Sequence, residues 1–263
     1  MLKKLLKYDL KYMLKNMSVF YILTIFFALT TRLFFSLNQT IIIQVISQIS
    51  VGIMYALIAN TLINTLMRSW LRFRDSIYKD EAYLTHTLPV SKNNIYDSKF
   101  IQTLIFFIAG FMVIILALFI AYYTKERWQL LKEFISTITT GLDFKPVVFI
   151  SGFLAVVFLE FFNAIQCGFL GIVLGHKKYK NKIAFSVLFG FIVYLVSQSL
   201  VLAMSYVVGL FNESIMNLFK FNYLVDTNAL KLLMILAIIL YVVIIFITSI
   251  ICKKELNKGV NVE

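Results

Sequence analysis

The chain has 263 residues and a formal net charge of +12, and 60% of its residues are hydrophobic. That apolar content exceeds what a soluble domain of this length carries, so an ordinary soluble globular protein is excluded. Several apolar stretches reach the ~20 residues that a helix needs to cross a bilayer. We therefore expect an all-α membrane protein, in which the two cysteines lie in apolar stretches as small core residues rather than as a disulfide or a metal site.

The N-terminal segment, residues 1–16, is too rich in lysine to cross a bilayer. Its lysines recur every three or four residues, and leucine and methionine side chains take the opposite side. This pattern predicts an amphipathic helix that lies at the membrane surface with its lysines toward anionic headgroups. An ordinary basic flank before the first membrane-spanning helix is the alternative. No cleavable signal peptide is expected, because no small-residue cleavage site closes the first apolar stretch.

Six apolar segments follow, and each is predicted to be a membrane-spanning helix. The predicted ranges are about 18–37, 41–66, 100–123, 147–175, 183–211 and 232–252. The longer connections are a polar segment over 67–99 and two loops over 124–145 and 212–231. No repeat or composition break divides the chain, so 1–263 is predicted to be a single membrane domain.

The distribution of positive charge predicts the orientation. Eighteen of the 25 basic residues fall in the N-terminal segment, the 67–99 segment, the turn after the fourth span and the C-terminal tail. Because cytoplasmic loops carry the excess of lysine and arginine, both termini and 67–99 are predicted to be cytoplasmic, and the 124–145 and 212–231 loops extracellular. The net charge is thus a topology signal, and no nucleic-acid partner is expected.

The two extracellular loops carry structure of their own. In the first loop, large apolar residues fall at helical spacing and predict a short helix on the outer membrane surface; they are Trp128, Leu131, Phe134, Ile135 and Ile138. Pro146 closes this loop and is well placed as the first residue of the next helix. The second loop is either an interfacial segment or a loop packed on the helix ends.

Motifs for catalysis and nucleotide binding are absent from the sequence. None of the ten glycines opens a G-x-x-x-x-G-K-[ST] run, so the chain is not expected to hydrolyse ATP through a P-loop. The metalloprotease and serine-hydrolase motifs are absent too. The two histidines, His86 and His176, are far apart in sequence. We expect no catalytic residue, no metal and no cofactor in this chain.

Two ionisable residues lie well inside the predicted spans, Arg32 and Glu160. Arg32 is expected to extend toward the outer surface. Glu160 must face protein or water, either in a functional role or as a polar tie between helices. Their depths differ by roughly 10 Å at 1.5 Å per residue, so a direct pair is not expected. In the same span as Glu160, three glycines at close-packing spacing predict tight helix packing; they are Gly168, Gly171 and Gly175.

The cytoplasmic segment over 67–99 is too long for a turn and too short for a domain. Its middle, "SIYKDEAYLTHTL", predicts a short helix capped by Ser76 and ended at Leu88 by the following proline. A second helix is predicted to begin at a cap supplied by Ser91 or Asn94. An apolar contact face is expected on the short helix, from Ile77, Tyr83, Leu84 and Leu88. A solvated loop without a partner is the alternative.

The stretch "DEAYLTHTLPVSKNNIYDSKF" resembles the first cytoplasmic loop of ABC-2-type ABC transporter permeases from low-GC Gram-positive bacteria. The shared elements are an acidic pair, Tyr-Leu-Thr, Leu-Pro-Val-Ser and a Ser-Lys that enters the next span. The N-terminal segment and the six spans extend the resemblance over the chain. The chain is also similar to the small permeases that export phenol-soluble modulins and other antimicrobial peptides.

The resemblance implies one half of a type V exporter in a bacterial cell membrane. The short helix would be the coupling helix that docks in a groove of a separate ATPase subunit, which binds ATP and Mg²⁺, and residues 1–16 would be the elbow helix. Two permease copies and two ATPases would move an amphipathic peptide or a lipid-like substrate. Tyr83, Leu84, Leu88 and Pro89 are expected to give the shape that docks. Asp80 and Glu81 are expected to pair with basic residues of the ATPase. Three alternatives stay open, namely an intramembrane enzyme that uses Glu160, an immunity or sensor component, and an ion-coupled carrier.

Overall fold

The structure is a computed structural model, and it describes residues 2–37, 40–79, 81–141, 145–217, 219–220 and 227–260. These residues are almost entirely α-helical and contain no strand. They form nine helices, which are α1 (Leu2–Ser36), α2 (Ile41–Ile77), α3 (Ala82–Thr87), α4 (Lys92–Tyr122), α5 (Lys125–Gly141), α6 (Pro146–Gly175), α7 (Lys182–Phe211), α8 (Glu213–Asn217) and α9 (Thr227–Asn257).

Six of these helices, α1, α2, α4, α6, α7 and α9, are long and apolar enough to cross a membrane. The predicted all-α class with six spans is therefore confirmed, and the protein is a multi-pass membrane protein. Helices suit this role because every backbone polar group inside a bilayer must be satisfied within the protein. Several of these helices are longer than the apolar stretch that would cross the membrane, because they continue into charged residues beyond it.

The helix boundaries differ from expectation at the charged ends. A separate helix over 1–16 is not confirmed, because α1 runs without a break from Leu2 to Ser36. Helix α2 continues to Ile77, well past the predicted end at 66. The cap predicted at Ser76 is wrong, since its hydroxyl lies inside α2 and donates to the Phe73 carbonyl at 3.2 Å. Helical propagation needs no apolar side chains, so hydropathy alone misplaces such ends.

The caps around the short helix follow local chemistry. Leu88 ends α3 in an extended conformation with ψ 139°, as the residue before a proline prefers. The Ser91 hydroxyl then accepts a hydrogen bond from the Asn94 backbone N–H at 3.3 Å and caps α4. Pro146 is the first residue of α6, as predicted.

The chain divides after Gln129 into two compact units. In the first unit α1 packs against α2 and α4, and α3 rests on α2. Met13, Met17 and Phe106 form a small apolar cluster in the core of this unit. Hydroxyl groups tie α1 to α2 inside the unit, with Thr24 and Thr61 at 3.2 Å between their Oγ1 atoms.

In the second unit α6 packs on α7 and α9, and α8 contacts α7 and α9. The glycines of α6 allow its backbone to approach α7 closely. A Cβ on Gly171 would lie 2.4 Å from the Gly190 Cα, and one on Gly175 would meet Ser186. The predicted role of these glycines in helix packing is confirmed. Both cysteines, Cys167 and Cys252, are buried and form no disulfide.

Helices occupy most of the described parts of the loops over 124–145 and 212–231. Helix α5 occupies the stretch for which a short helix was expected. The Ile138 side chain lies outside the described residues. In the second loop, the buried Ile215 of α8 packs beside Gly209 at the end of α7, which agrees with a loop packed on the helix ends. Residues 221–226 of that loop are outside the description.

Candidate functional site

The short helix α3 presents apolar side chains to solvent. Tyr83 is 64% exposed, Leu84 73% and Leu88 45%. On the opposite side Ala82 is fully buried. Ile77, which was expected on the same contact face, is instead buried at the end of α2. The exposed face therefore consists of Tyr83, Leu84 and Leu88, and we call these three residues the α3 contact face.

The rear of α3 is fastened to α2 by polar contacts. The His86 Nε2 donates to the Ile77 carbonyl at 3.0 Å. Immediately before α3, both carboxylate oxygens of Glu81 accept from Arg72 Nη1, at 2.7 and 2.6 Å. These contacts fix the short helix at both ends, so the α3 contact face is held by α2 rather than by a flexible loop.

Arg72 is in turn bound to a buried carboxylate, Asp9 of α1. Its Nε and Nη2 atoms donate to Asp9 Oδ1 at 3.1 and 2.9 Å. Lys99 of α4 contacts the same oxygen, and the Ser98 hydroxyl donates to Oδ2 at 2.8 Å. The Arg72 guanidinium also lies over the Tyr12 ring, 4.4 Å from its centroid. Asp9 therefore ties α1, α2 and α4 together directly beneath α3.

Burial makes this cluster energetically important. The side chains of Asp9, Lys99 and Arg72 are 3%, 6% and 11% exposed. Removing charges from water is costly unless each has partners, and here the two cations share one carboxylate while Arg72 also has Glu81. The charges of the four side chains cancel. We call Asp9, Arg72, Lys99 and Glu81 the anchor cluster.

The sequence prediction missed Asp9, and it treated Arg72 and Lys99 only as topology signals. One clue was present, since Asp9 is the single acidic residue in the lysine-rich N-terminal segment. Its carboxylate interrupts the pattern expected for a helix facing anionic headgroups. A lone acid in a basic amphipathic helix predicts an internal cationic partner, but the sequence does not identify that partner.

The remaining coupling residues are placed as follows. Asp80 lies outside the described residues. Glu81 was expected to pair with basic residues of an ATPase, and within this chain it already has a partner in Arg72. Pro89 lies two residues after Thr87, the last residue of α3, in the connection to α4. Each described residue of the predicted set therefore lies on or next to α3.

Glu160 lies in the second unit, in a polar cluster between α6, α7 and α9. Its Oε1 accepts from the Tyr194 hydroxyl at 2.6 Å and from the Gln198 amide at 2.8 Å. The Tyr241 hydroxyl of α9 donates to Gln198 Oε1 at 3.3 Å. Among the described residues Glu160 Oε2 has no hydrogen-bond partner. The carboxylate thus joins α6 to α7 through one of its two oxygens, and Gln198 extends the cluster to α9.

This cluster gives a prediction for Glu160. Glu160→Leu should lower the free energy of unfolding by about 2 kcal/mol, because the Tyr194 hydroxyl and the Gln198 amide lose their acceptor. Glu160→Gln keeps an acceptor in the same place and should cost less than half as much. Thermal unfolding of the purified protein in detergent measures both. Equal losses for the two variants would contradict a structural role for the hydrogen bonds.

Arg32 is exposed near the C-terminal end of α1. Its Nη1 donates to the Ile120 carbonyl of α4 at 3.4 Å. Arg32 and Glu160 belong to different units. No group of three or more potential metal-ligating side chains occurs in the described part of the chain.

Comparisons with known proteins identify no relative. A scan against protein-family models, a search of curated proteins and a search of solved structures each found no match to this chain. The class that the fold defines is therefore a helical, multi-pass membrane protein, and a function must be argued from its own residues.

Proposed function

We propose that this chain is the permease subunit of an ATP-driven ABC exporter, with ATP hydrolysed by separate subunits. One observation carries the proposal, which is the α3 contact face. Tyr83 and Leu84 are large apolar side chains that stay exposed on a helix fixed from behind. Exposed apolar patches mark sites of protein interaction, and tyrosine is enriched among the residues that carry most of the binding energy. The resemblance of the surrounding sequence to ABC-2 permease loops supports an ATPase as the partner.

The anchor cluster supplies a physical route for coupling. A force on α3 acts on Arg72 through Glu81, and Arg72 passes it to Asp9. Because Asp9 also binds Lys99, the same force reaches α1 and α4 as well as α2. The Asp9 pairs are buried and resist separation, so α1, α2 and α4 move together. Helix α3 is joined to them by two contacts, the Glu81–Arg72 pair and the hydrogen bond from His86 to the Ile77 carbonyl. ATP-driven closure of the ATPases then repacks the spans between inward-open and outward-open arrangements.

The exporter would contain two permease copies, or this chain and a related one, with two ATPases in a bacterial cell membrane. Both chain termini and α3 would face the cytoplasm, in agreement with the distribution of basic residues. Its cargo would be an amphipathic peptide or a lipid-like molecule that enters from the bilayer. The many exposed apolar side chains along the spans suit such a cargo, and they suit lipid contact equally.

Glu160 favours one alternative, an ion-coupled secondary carrier. A carboxylate inside a span is the kind of group that proton and ion pathways use. A carrier would transport its substrate in vesicles under an ion gradient with no ATPase present. An exporter would need the ATPase and ATP, and an immunity or sensor component would bind peptide without moving it. Reconstituted vesicles with and without ATPase separate the three functions.

The docking test uses Leu84→Asp. This change places a charge in the middle of the α3 contact face, where a hydrophobic groove on a partner cannot accommodate it. We expect a P-loop ATPase to be encoded beside this gene, and its co-purification with the permease should fall by at least about 10-fold, or about 1.4 kcal/mol in binding free energy. Because Leu84 is 73% exposed, the permease itself should insert and fold normally.

Tyr179→Asp is the matched control. Tyr179 is 95% exposed in the turn between α6 and α7, which is predicted to lie on the same membrane side as α3. It should leave ATPase recovery unchanged. Undiminished recovery with Leu84→Asp, or an equal loss with Tyr179→Asp, would count against α3 as the docking element.

A further inference from the structure

Two arginines meet the aromatic end of the first unit at one membrane surface. Arg32 lies in the last turns of α1, and its guanidinium bonds the Ile120 carbonyl near the end of α4. Arg127 lies in the first turns of α5, and its guanidinium packs over Phe35, 5.1 Å from the ring centroid, and over Tyr122 at 5.8 Å. Both arginine side chains are exposed.

Aromatic rings surround this pair. Tyr122 contacts Phe35 and Tyr55, with ring centroids 6.1 and 6.4 Å away. Tyr123 packs 6.1 Å from Trp128. Tyrosine and tryptophan concentrate where membrane helices pass the lipid headgroups, because their rings suit the boundary between apolar and polar layers. The two guanidinium groups therefore lie at headgroup depth.

Neither arginine is neutralised within the described part of the chain. No ion pair joins Arg32 or Arg127 to a carboxylate there, and Glu126, the acid next to Arg127, pairs with neither arginine. Stacking on Phe35 and Tyr122 occupies the face of the Arg127 guanidinium and leaves its N–H edge open. Arg32 likewise uses one of its five N–H donors, in the hydrogen bond to the Ile120 carbonyl.

We propose that Arg32 and Arg127 form a binding site for the phosphodiester group of a membrane lipid. The N–H edge of a guanidinium matches phosphate oxygens in geometry and charge. Two guanidinium groups offer more hydrogen-bond donors and more positive charge than a single surface lysine. The surrounding rings would hold the first part of the acyl chains. The site joins the ends of α1 and α4 to the start of α5, so a bound lipid fastens these three elements together. This inference does not depend on the exporter proposal.

The experiment measures lipid retention by native mass spectrometry of the purified full chain. Protein in detergent is titrated with dioleoylphosphatidylglycerol. We expect the double variant with Arg32→Gln and Arg127→Gln to need at least about 10-fold more lipid for equal occupancy. Arg74→Gln is the control, because Arg74 is paired with its neighbour Asp75, 2.8 Å away, and should not affect this site. Unchanged retention by the double variant would overturn the proposal.

Two further arms identify the ligand and protect against a misfolded variant. On the wild-type protein, phosphatidylglycerol should raise the thermal unfolding temperature, whereas dioleoylglycerol, with the same chains and no phosphate, should not. Equal stabilisation by both would overturn a phosphate site. Inorganic phosphate at millimolar concentration should leave the lipid bound, and its displacement of the lipid would assign the site to free phosphate instead.

Discussion

Replacing Asp9 with asparagine is expected to lower the free energy of unfolding by about 3 kcal/mol, the lower end of the cost of breaking a buried ion pair. The reason is the burial of its partners. Lys99 is 6% exposed and Arg72 is 11% exposed, so neither can turn to water when the carboxylate is gone. Asparagine keeps an acceptor for the Ser98 hydroxyl, and for this reason we expect the lower value.

The measurement is the thermal unfolding of purified wild-type and variant protein in the same detergent. The matched control is Glu81→Gln, which removes the other carboxylate that binds Arg72. The Glu81 side chain is 47% exposed, so water replaces much of what the pair supplies and the loss should stay below about 1 kcal/mol. A smaller loss for Asp9→Asn than for Glu81→Gln would show that Asp9 does not hold the anchor cluster together.

The Asp9→Asn variant also tests the coupling between α3 and the spans. If the anchor cluster carries motion from α3 to the spans, Asp9→Asn should still co-purify with the ATPase, because the α3 contact face is untouched. Transport per ATP hydrolysed should nevertheless fall, since α1 and α4 lose their link to Arg72. Wild-type transport per ATP in an assembled Asp9→Asn complex would reject the anchor cluster as the mechanical link.

The second large effect is expected for Gly171→Leu. A Cβ at this position would lie 2.4 Å from both the Cα and the nitrogen of Gly190 and 2.7 Å from the Ser186 carbonyl oxygen. These atoms are backbone, so no side-chain rotation can relieve the overlap. Helices α6 and α7 must separate, and we expect the free energy of unfolding to fall by about 3 kcal/mol, at the upper end for overpacking.

Gly52→Ala is the control for adding a side chain to a glycine of a span. Gly52 lies inside α2, eleven residues after its start at Ile41, and a Cβ there meets nothing within 4 Å. Alanine should therefore raise stability by about 0.5–1 kcal/mol through its better helix propensity. Both variants are compared by thermal unfolding in one detergent. The close contact between α6 and α7 would be disproved if Gly171→Leu were as stable as the wild type.

The polar cluster around Glu160 was predicted only in part from the sequence. The sequence identified a carboxylate that must have partners, because an isolated charge in a bilayer is costly. It did not identify Tyr194 or Gln198, which are 34 and 38 residues away. Neither side chain carries a formal charge, so the sequence alone does not show which of the polar residues in the spans binds Glu160.

In the 67–99 segment, local sequence signals predicted more of the structure. Turn chemistry predicted the break at Leu88 and limited the cap to Ser91 or Asn94, of which the structure shows Ser91. The signal is local because proline and serine act on the backbone within three residues. The same reasoning failed at Ser76, where α2 continues into the segment instead of ending. The contact between the rear of α3 and α2 extends the ordered structure past the apolar stretch, and no local signal reports it.

By itself the sequence determined the class and number of the spanning helices, since a stretch of about 20 apolar residues in a bilayer satisfies its backbone locally as a helix. Only the tertiary structure decided which polar residues meet. Asp9 binds partners 63 and 90 residues away, and Gly171 packs on Gly190 across two helices. Such contacts depend on how the helices rotate and approach one another. This packing follows from the shape of whole helix faces rather than from any short stretch of sequence.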